Sequence, residues 1–184
     1  GEALHLPGIA ANYASVPDAA DLDGFGDFTL ELTDVTMPDW SPLAAVTLIS
    51  KYGGGQVAWK LDLQSDDTLR LYSSADGSAE SNNFSVATSL GAGATASIRV
   101  LRIGEVVRFY LDTGSGFAQL GSDSANTVGT LFNSTSAVEV GAYAGGAYTP
   151  LLGSLTRARI WSDATQTTNA LDINFALANK GETS

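Results

Sequence analysis

Val107-Arg108-Phe109-Tyr110-Leu111 alternates apolar residues with polar or amphipathic ones, so an extended backbone turns Val107, Phe109 and Leu111 to one face and Arg108 and Tyr110 to the other. The same period of two recurs in Phe28-Thr29-Leu30-Glu31-Leu32, Leu61-Asp62-Leu63, Leu69-Arg70-Leu71-Tyr72, Ile98-Arg99-Val100 and Val138-Glu139-Val140. Between these runs lie Gly53-Gly54-Gly55, Asp66-Asp67, Ala75-Asp76-Gly77-Ser78, Gly114-Ser115-Gly116 and Gly145-Gly146, whose residues supply positive φ or Asx turns. Roughly a dozen short strands separated by turn signals predict an all-β fold, an antiparallel two-sheet β-sandwich around one core. Helical period is nearly absent; only Val16 to Leu22, with Pro17 at its start, has the makings of a single turn.

Composition sets the limits. A chain of 184 residues, 44% hydrophobic, has material for one sizeable core, so residues 1–178 are expected to form one domain and 179–184 a tail or cut linker. Gly1 in place of Met raises the expectation of processing or excision from a longer chain. Without Cys, neither disulfides nor thiolate metal sites are available. Nine basic residues against twenty acidic ones give a net charge of −11, which argues against nucleic acid, because phosphate neutralisation needs a basic surface. The apolar runs are far shorter than the ~20 residues that cross a bilayer as a helix, so no membrane insertion is expected.

The order of the signals carries a resemblance. Ala3-Leu4-His5-Leu6-Pro7-Gly8, Asn12 to Asp18, Gly26-Asp27-Phe28-Thr29-Leu30-Glu31, Leu48-Ile49-Ser50-Lys51-Tyr52, Leu69-Arg70-Leu71-Tyr72 and Gly153-Ser154-Leu155 through Ile160-Trp161 together resemble the laminin-G-like branch of the concanavalin A-like jelly rolls over nearly the whole chain. The opening, Asp39-Trp40-Ser41-Pro42 and Asp172-Ile173-Asn174-Phe175 are similar to the modules of this kind in tail and other virion proteins of bacteriophages. The resemblance implies a jelly roll with its first and last strands side by side, the N-terminal strand from Ala3 to Leu6 pairing near Ala158 to Trp161. It also implies adhesion or virion architecture, hence an extracellular, virion location, with other virion proteins and host-surface glycan as partners.

Some members of that superfamily hydrolyse glycans, and a retaining glycosidase needs two carboxyl groups about 5 Å apart. The i±2 neighbours of Glu31 are Thr29 and Thr33, those of Glu139 are Ala137 and Gly141, and those of Asp62 are Lys60 and Gln64, so no strand carries such a pair. The single His, His5, sits in an apolar strand without a nucleophile pattern beside it. The chain is therefore expected not to be an enzyme; a secreted bacterial carbohydrate-binding module is the alternative to the virion module, and a divergent glycoside hydrolase stands behind both.

Asp18, Asp21 and Asp23 before Gly24 are candidate calcium ligands, since clustered oxygens with a glycine turn suit that ion, although the spacing is not that of a twelve-residue calcium loop. Related laminin-G-like modules often carry an acidic residue two places before the late Ile-Trp pair, or just upstream of it, at a structural calcium site; this chain has Thr156 and Ala158 on that strand. Asp76, Glu80, Asn82 and Asn83 form a second loop group with oxygen donors.

The sharper asymmetry is that acids fall mostly in turns, whereas Arg70, Arg99, Arg102, Arg108, Arg157 and Arg159 all fall in strands. With Leu69, Leu71, Val107, Phe109 and Leu111 inward, Arg70, Tyr72, Arg108 and Tyr110 point outward. Tyrosine faces stack on sugar rings and guanidinium forks donate to hydroxyls or carboxylates. Arg70, Tyr72, Arg99, Arg108 and Tyr110 are thus the expected ligand-binding stripe, joined by Tyr143 and Tyr148 around the flexible Gly145-Gly146 tip. The competing reading is a solvated sheet face. Trp59 shares phase with Leu61 and Leu63 and is expected in the core, while Trp40 lies in a loop open to either packing or contact.

Overall fold

The computed structural model describes residues 2–178, and the expected tail at 179–184 lies outside them. Among the described residues fifteen strands form two antiparallel sheets, β1 Leu4–Pro7, β2 Ala14–Val16, β3 Phe28–Thr36, β4 Val46–Gly53, β5 Gln56–Leu63, β6 Thr68–Gly77, β7 Ser81–Ala87, β8 Thr95–Ile103, β9 Val106–Asp112, β10 Ala118–Gln119, β11 Ser124–Ala125, β12 Val138–Val140, β13 Leu152–Leu155, β14 Arg157–Trp161 and β15 Asn169–Asn174. The nine-stranded sheet runs β1-β13-β3-β8-β9-β10, with β11 also on β9 and the β14-β15 pair on β3; the six-stranded sheet runs β2-β12-β4-β5-β6-β7. The expected single turn is a 3₁₀ helix, Ala20–Leu22, which buries Leu22.

The inward stripes meet in one core. From the larger sheet come Phe28, Leu30, Leu32, Ile98, Val100, Phe109 and Ile160; from the smaller come Leu48, Ile49, Trp59, Leu61, Leu69, Leu71, Val138 and Val140. Trp40 closes the core from its loop, 1% exposed, its indole Nε1 donating to Ala94 O at 3.0 Å. Burying side chains of this size is worth about 1.5–3 kcal/mol each, which is why the alternation selects the register so firmly.

The chain ends meet differently from expectation. β1 pairs with β13, Leu4 opposite Leu155, and not with Ala158 to Trp161. Leu152 to Trp161 runs along β3 in one register, bent at Thr156, with Ser154 opposite Thr36 and Arg157 opposite Thr33. The outer flank of Arg157–Trp161 is taken by β15, where Arg157 grips Asp172 with two hydrogen bonds at 2.7 and 2.5 Å, so β1 is left the first half of that strand.

Candidate binding site

The expected stripe is divided between the two sheets. Arg70 and Tyr72 lie on β6 of the smaller sheet, whereas Arg99 lies on β8 and Arg108 and Tyr110 on β9 of the larger, so the two groups face away from each other across the core. On the larger sheet the arginines already have partners. Glu31, 2% exposed, lies between Arg99, 2.6 Å away, and Arg159, and Arg108 forms a fork with Asp123 at 2.8 Å in both arms. Arg99 also lies 4.0 Å over the Phe117 ring, and Tyr110 stands between Arg99 and Gln119 in the ladder. Each of these arginines thus has a carboxylate partner, although the buried Arg159 Nε makes no hydrogen bond.

The smaller sheet is different. The turn after β5 pairs Leu63 with Leu69, Asp62 with Arg70 and Lys60 with Tyr72, while β4 brings Thr47 opposite Asp62 and Ser50 opposite Lys60. With Trp59, Leu61 and Leu63 inward, Lys60 and Asp62 face outward, yet they are 5% and 1% exposed. The cover is the segment after β12: Ser50 Oγ donates to Ala142 O at 2.8 Å, Thr47 N donates to Thr149 O at 2.9 Å, and the Tyr143 ring lies 4.1 Å from Lys60 Nζ. Gly145-Gly146 turns this segment with φ of +73° and +75°, a conformation that favours glycine, and both backbone N–H groups donate to the Glu139 carboxylate at 2.6 and 2.9 Å.

Lys60 consequently sits among three rings, 5.0 Å from Tyr52, 4.4 Å from Tyr72 and 4.1 Å from Tyr143. Its counter-charge is Asp62 Oδ2 at 3.1 Å, and the other oxygen accepts from Thr47 Oγ1 at 2.9 Å. Burial pushes the Asp62 carboxyl above the usual range, although Lys60, Thr47 and Arg70 pull the other way. Burial likewise raises the phenols of Tyr52 and Tyr143, and the Tyr52 hydroxyl, which donates to Glu80, is raised further by that carboxylate.

Arg70 is the least satisfied of the strand arginines. Its Nη2 is 3.5 Å from Asp62 Oδ2, an oxygen that already faces Lys60, and its buried Nε has no partner. The guanidinium lies 4.0 Å over the Tyr72 ring and 5.9 Å from Phe84, which is half exposed. Tyr148, also exposed, stacks on Tyr143 with centroids 5.2 Å apart. The structure thus brings together Arg70, Tyr72, Tyr143 and Tyr148 and adds Tyr52, Lys60, Asp62 and Phe84. Lys60 and Asp62 could have been found from the sequence, since they share phase with Tyr72 and Arg70 across a tight hairpin.

The candidate calcium ligands have another role. Lys51, fully buried and facing inward beside Trp59, reaches between them, bonding Asp18 and lying 3.3 Å from Asp23. Asp21 does not join that contact. The second oxygen-rich group also disperses: Asp76 caps the amides of Ser78 and Ala79 at 2.8 and 2.7 Å, Glu80 accepts from Tyr52, Asn82 is exposed and Asn83 is buried. Among the described residues no three His, Asp or Glu side chains converge as a metal-ligating set. His5 lies exposed on the edge strand β1.

No protein-family model matches the chain, and no curated protein matches it in sequence. Solved structures do share its fold. The CBM40 module of the Ruminococcus gnavus IT-sialidase superposes with a TM-score of 0.61 at 13% identity, covering 89% of this chain and 91% of that one. The same module bound to α2,6 sialyllactose gives 0.58 at 13% identity, covering 89% and 92%. A heptameric SAP-like pentraxin from Limulus polyphemus gives 0.57 at 14% identity, covering 87% and 75%. At such identities the likeness establishes the fold alone, an antiparallel two-sheet jelly-roll sandwich.

Proposed function

We propose that this chain is a non-catalytic glycan-binding module that engages sugar on the outer face of the six-stranded sheet, with Arg70 donating to an acidic or hydroxyl group and Tyr72, Phe84 and Tyr148 offering ring faces. The observation that carries the reading is the under-used Arg70 guanidinium, laid over Tyr72 at 4.0 Å while its nearest carboxylate is shared with Lys60. Lys60 and Arg70 share the one buried Asp62 carboxylate, so the Arg70 guanidinium keeps N–H groups to donate to a carboxylate or hydroxyl of a sugar. Turnover finds no support, because Glu31, Glu139 and Asp62 are each engaged by arginines, backbone amides or Lys60. The fold neighbours support the same reading, one of them being bound to sialyllactose. The setting we infer is a bacteriophage virion facing host-surface glycan, resting on the sequence resemblance; labelling of purified particles with antibody to the module tests it.

The test of the site is to replace Arg70 and Tyr72 by Ala, each alone, with Tyr110→Ala on the opposite sheet as comparison, and to measure binding to host envelopes and a glycan array beside thermal stability. Loss of a stacking Tyr is expected to cost about 1 kcal/mol of binding, roughly fivefold, with Tyr110→Ala at the parent level. Folded Arg70 and Tyr72 variants that bind as the parent does would remove this face as the site.

A further inference from the structure

A second feature of the same sheet is left unused by that reading. At the end where β2, β12 and β4 meet the Gly141–Thr149 segment lies a cleft of about 410 Å³ lined by Tyr13, Ser15, Tyr52, Ser136, Glu139 and Gly145. Its size falls in the range of small-ligand pockets. We propose that this cleft is a second sugar subsite, taking a neutral pyranose; the proposal rests on the glycan-binding reading above.

Three observations carry it. The walls are set before any ligand arrives: a Cβ on Gly146 would stand 2.2 Å from the Tyr13 ring, so that ring is seated directly on the Gly146 backbone, and Tyr52 is held edge-on by Tyr143 with centroids 5.0 Å apart. The lip is open, since nothing lies within 4 Å of where a side chain on Gly54 or Gly145 would begin. The polar groups suit hydroxyls and repel anions. Glu139 spends one lone pair of each oxygen on Gly145 and Gly146, and a carboxylate has about four to offer, so capacity for sugar O–H donors remains. Ser15 is exposed beside Glu139 in the ladder. No Lys or Arg lines the cleft; Lys51 bonds Ser136 O from the core side, its charge met by Asp18 and Asp23. A carboxylate without a neighbouring free cation disfavours an acidic sugar, which sets this cleft apart from the Arg70 end. Tyr52 links the two: it lines the cleft and stands 6.4 Å, centroid to centroid, from Tyr72.

The experiment is a titration of ¹⁵N-labelled protein with the methyl glycosides of glucose, galactose, mannose and N-acetylglucosamine, and separately with glucuronic acid and N-acetylneuraminic acid. Saturable shifts at the amides of Gly54, Ala137 and Gly145 are expected with at least one neutral glycoside. Ser15→Trp, on an exposed edge-strand position, fills the cleft and is expected to weaken that binding at least tenfold, whereas Ile103→Ser on the other sheet leaves it at the parent value. Tyr13→Ala is expected to weaken it as well, with the amide spectrum reporting that the fold persists. Absence of cleft shifts with all four neutral sugars, or shifts that survive Ser15→Trp, overturns the subsite. Acid-sugar shifts confined to Arg70, Tyr72 and Phe84 would then leave the reading above standing, and the reverse pattern would leave the cleft standing without it.

Discussion

Lys60 and Asp62, alternate residues of β5, meet at 3.1 Å on the outer side of the sheet under a roof of tyrosines, so that an ion pair occupies a place where a sandwich ordinarily meets water. Two charges out of water are expensive unless each is matched, and here Thr47 bonds one Asp62 oxygen while the other faces Lys60 and, at 3.5 Å, Arg70. Removing the carboxylate should therefore hurt far more than removing the amine. Asp62→Ala leaves Lys60 and Arg70 facing one another and is expected to lower unfolding free energy in urea by about 3 kcal/mol, while Lys60→Met, apolar and of similar length, stays within about 1 kcal/mol of the parent. Equal losses in the two variants would mean that the pair is not the organising contact.

The phenols above that pair offer a spectroscopic readout. Burial raises Tyr52 and Tyr143 above the ordinary value of 10, and Glu80 adds to the effect at Tyr52. With neutral forms favoured by the fold, their contribution to stability is fully present below pH 10 and is lost as pH rises toward the folded values. Tyr52 and Tyr143 are expected to ionise above the ordinary phenol range in an ultraviolet titration, and Glu80→Gln should bring Tyr52 down. A single common transition near pH 10 would contradict this.

At the acid end the sign reverses. Asp123 is held down to about 2 chiefly by the Arg108 fork, and Asp76 to about 2 by the amides of Ser78 and Ala79. Carboxyls held low favour the fold when ionised, so this stabilisation is complete above the ordinary value near 3.8 and disappears as pH falls toward 2. Unfolding free energy should fall through that window, and Asp123→Asn and Asp76→Asn should each make the fall shallower. An unchanged slope in both variants would assign the acid response to other groups.

The sheet architecture was legible because period two has one solution once a core must be buried: the inward residues at Leu61, Leu69, Ile98 and Phe109 are those the alternation marks. Phase, however, tells which face of a strand a residue occupies and is silent on which sheet holds the strand. Arg70 and Arg108 have the same local pattern yet lie on opposite sides of the molecule, because β6 and β9 belong to different sheets. The tyrosines of the Gly141–Thr149 segment were legible, but where the segment seats was not: its contacts with Thr47, Ser50 and Lys60 span about a hundred residues of chain and follow from no local signal. Lys51 shows the opposite limit, since a lysine in the inward phase beside Trp59 already announces a buried cation in need of acids, and Asp18 and Asp23 answer it.

Arg102 is the other inward cation. It continues the stripe of Ala96, Ile98 and Val100, is 2% exposed, and among the described residues has no carboxylate within 4.0 Å. Burial holds its guanidinium below the usual range, partly offset by Asp27. It is satisfied by neutral oxygens: Gly26 O accepts from Nη1, and Asn126 Oδ1 accepts from Nε at 3.0 Å. Asn126 in turn donates to Ser73 Oγ at 2.9 Å and Asn83 Oδ1 at 2.6 Å, and Asn83 donates to Ser124 Oγ and Ala125 O at 2.7 and 2.8 Å. The chain of bonds ties β8 and β11 of one sheet to β6 and β7 of the other, at the end where aliphatic packing gives way to polar side chains. A hydrogen bond to a charged group is worth about 1.5–3 kcal/mol, and a network in a low-dielectric interior is coupled. Asn126→Ala and Arg102→Met are each expected to cost about 2–4 kcal/mol, with the double variant costing at least about 1 kcal/mol less than the sum, measured by urea unfolding. Strict additivity would show that the two residues act independently and that the sheets are joined here by packing alone.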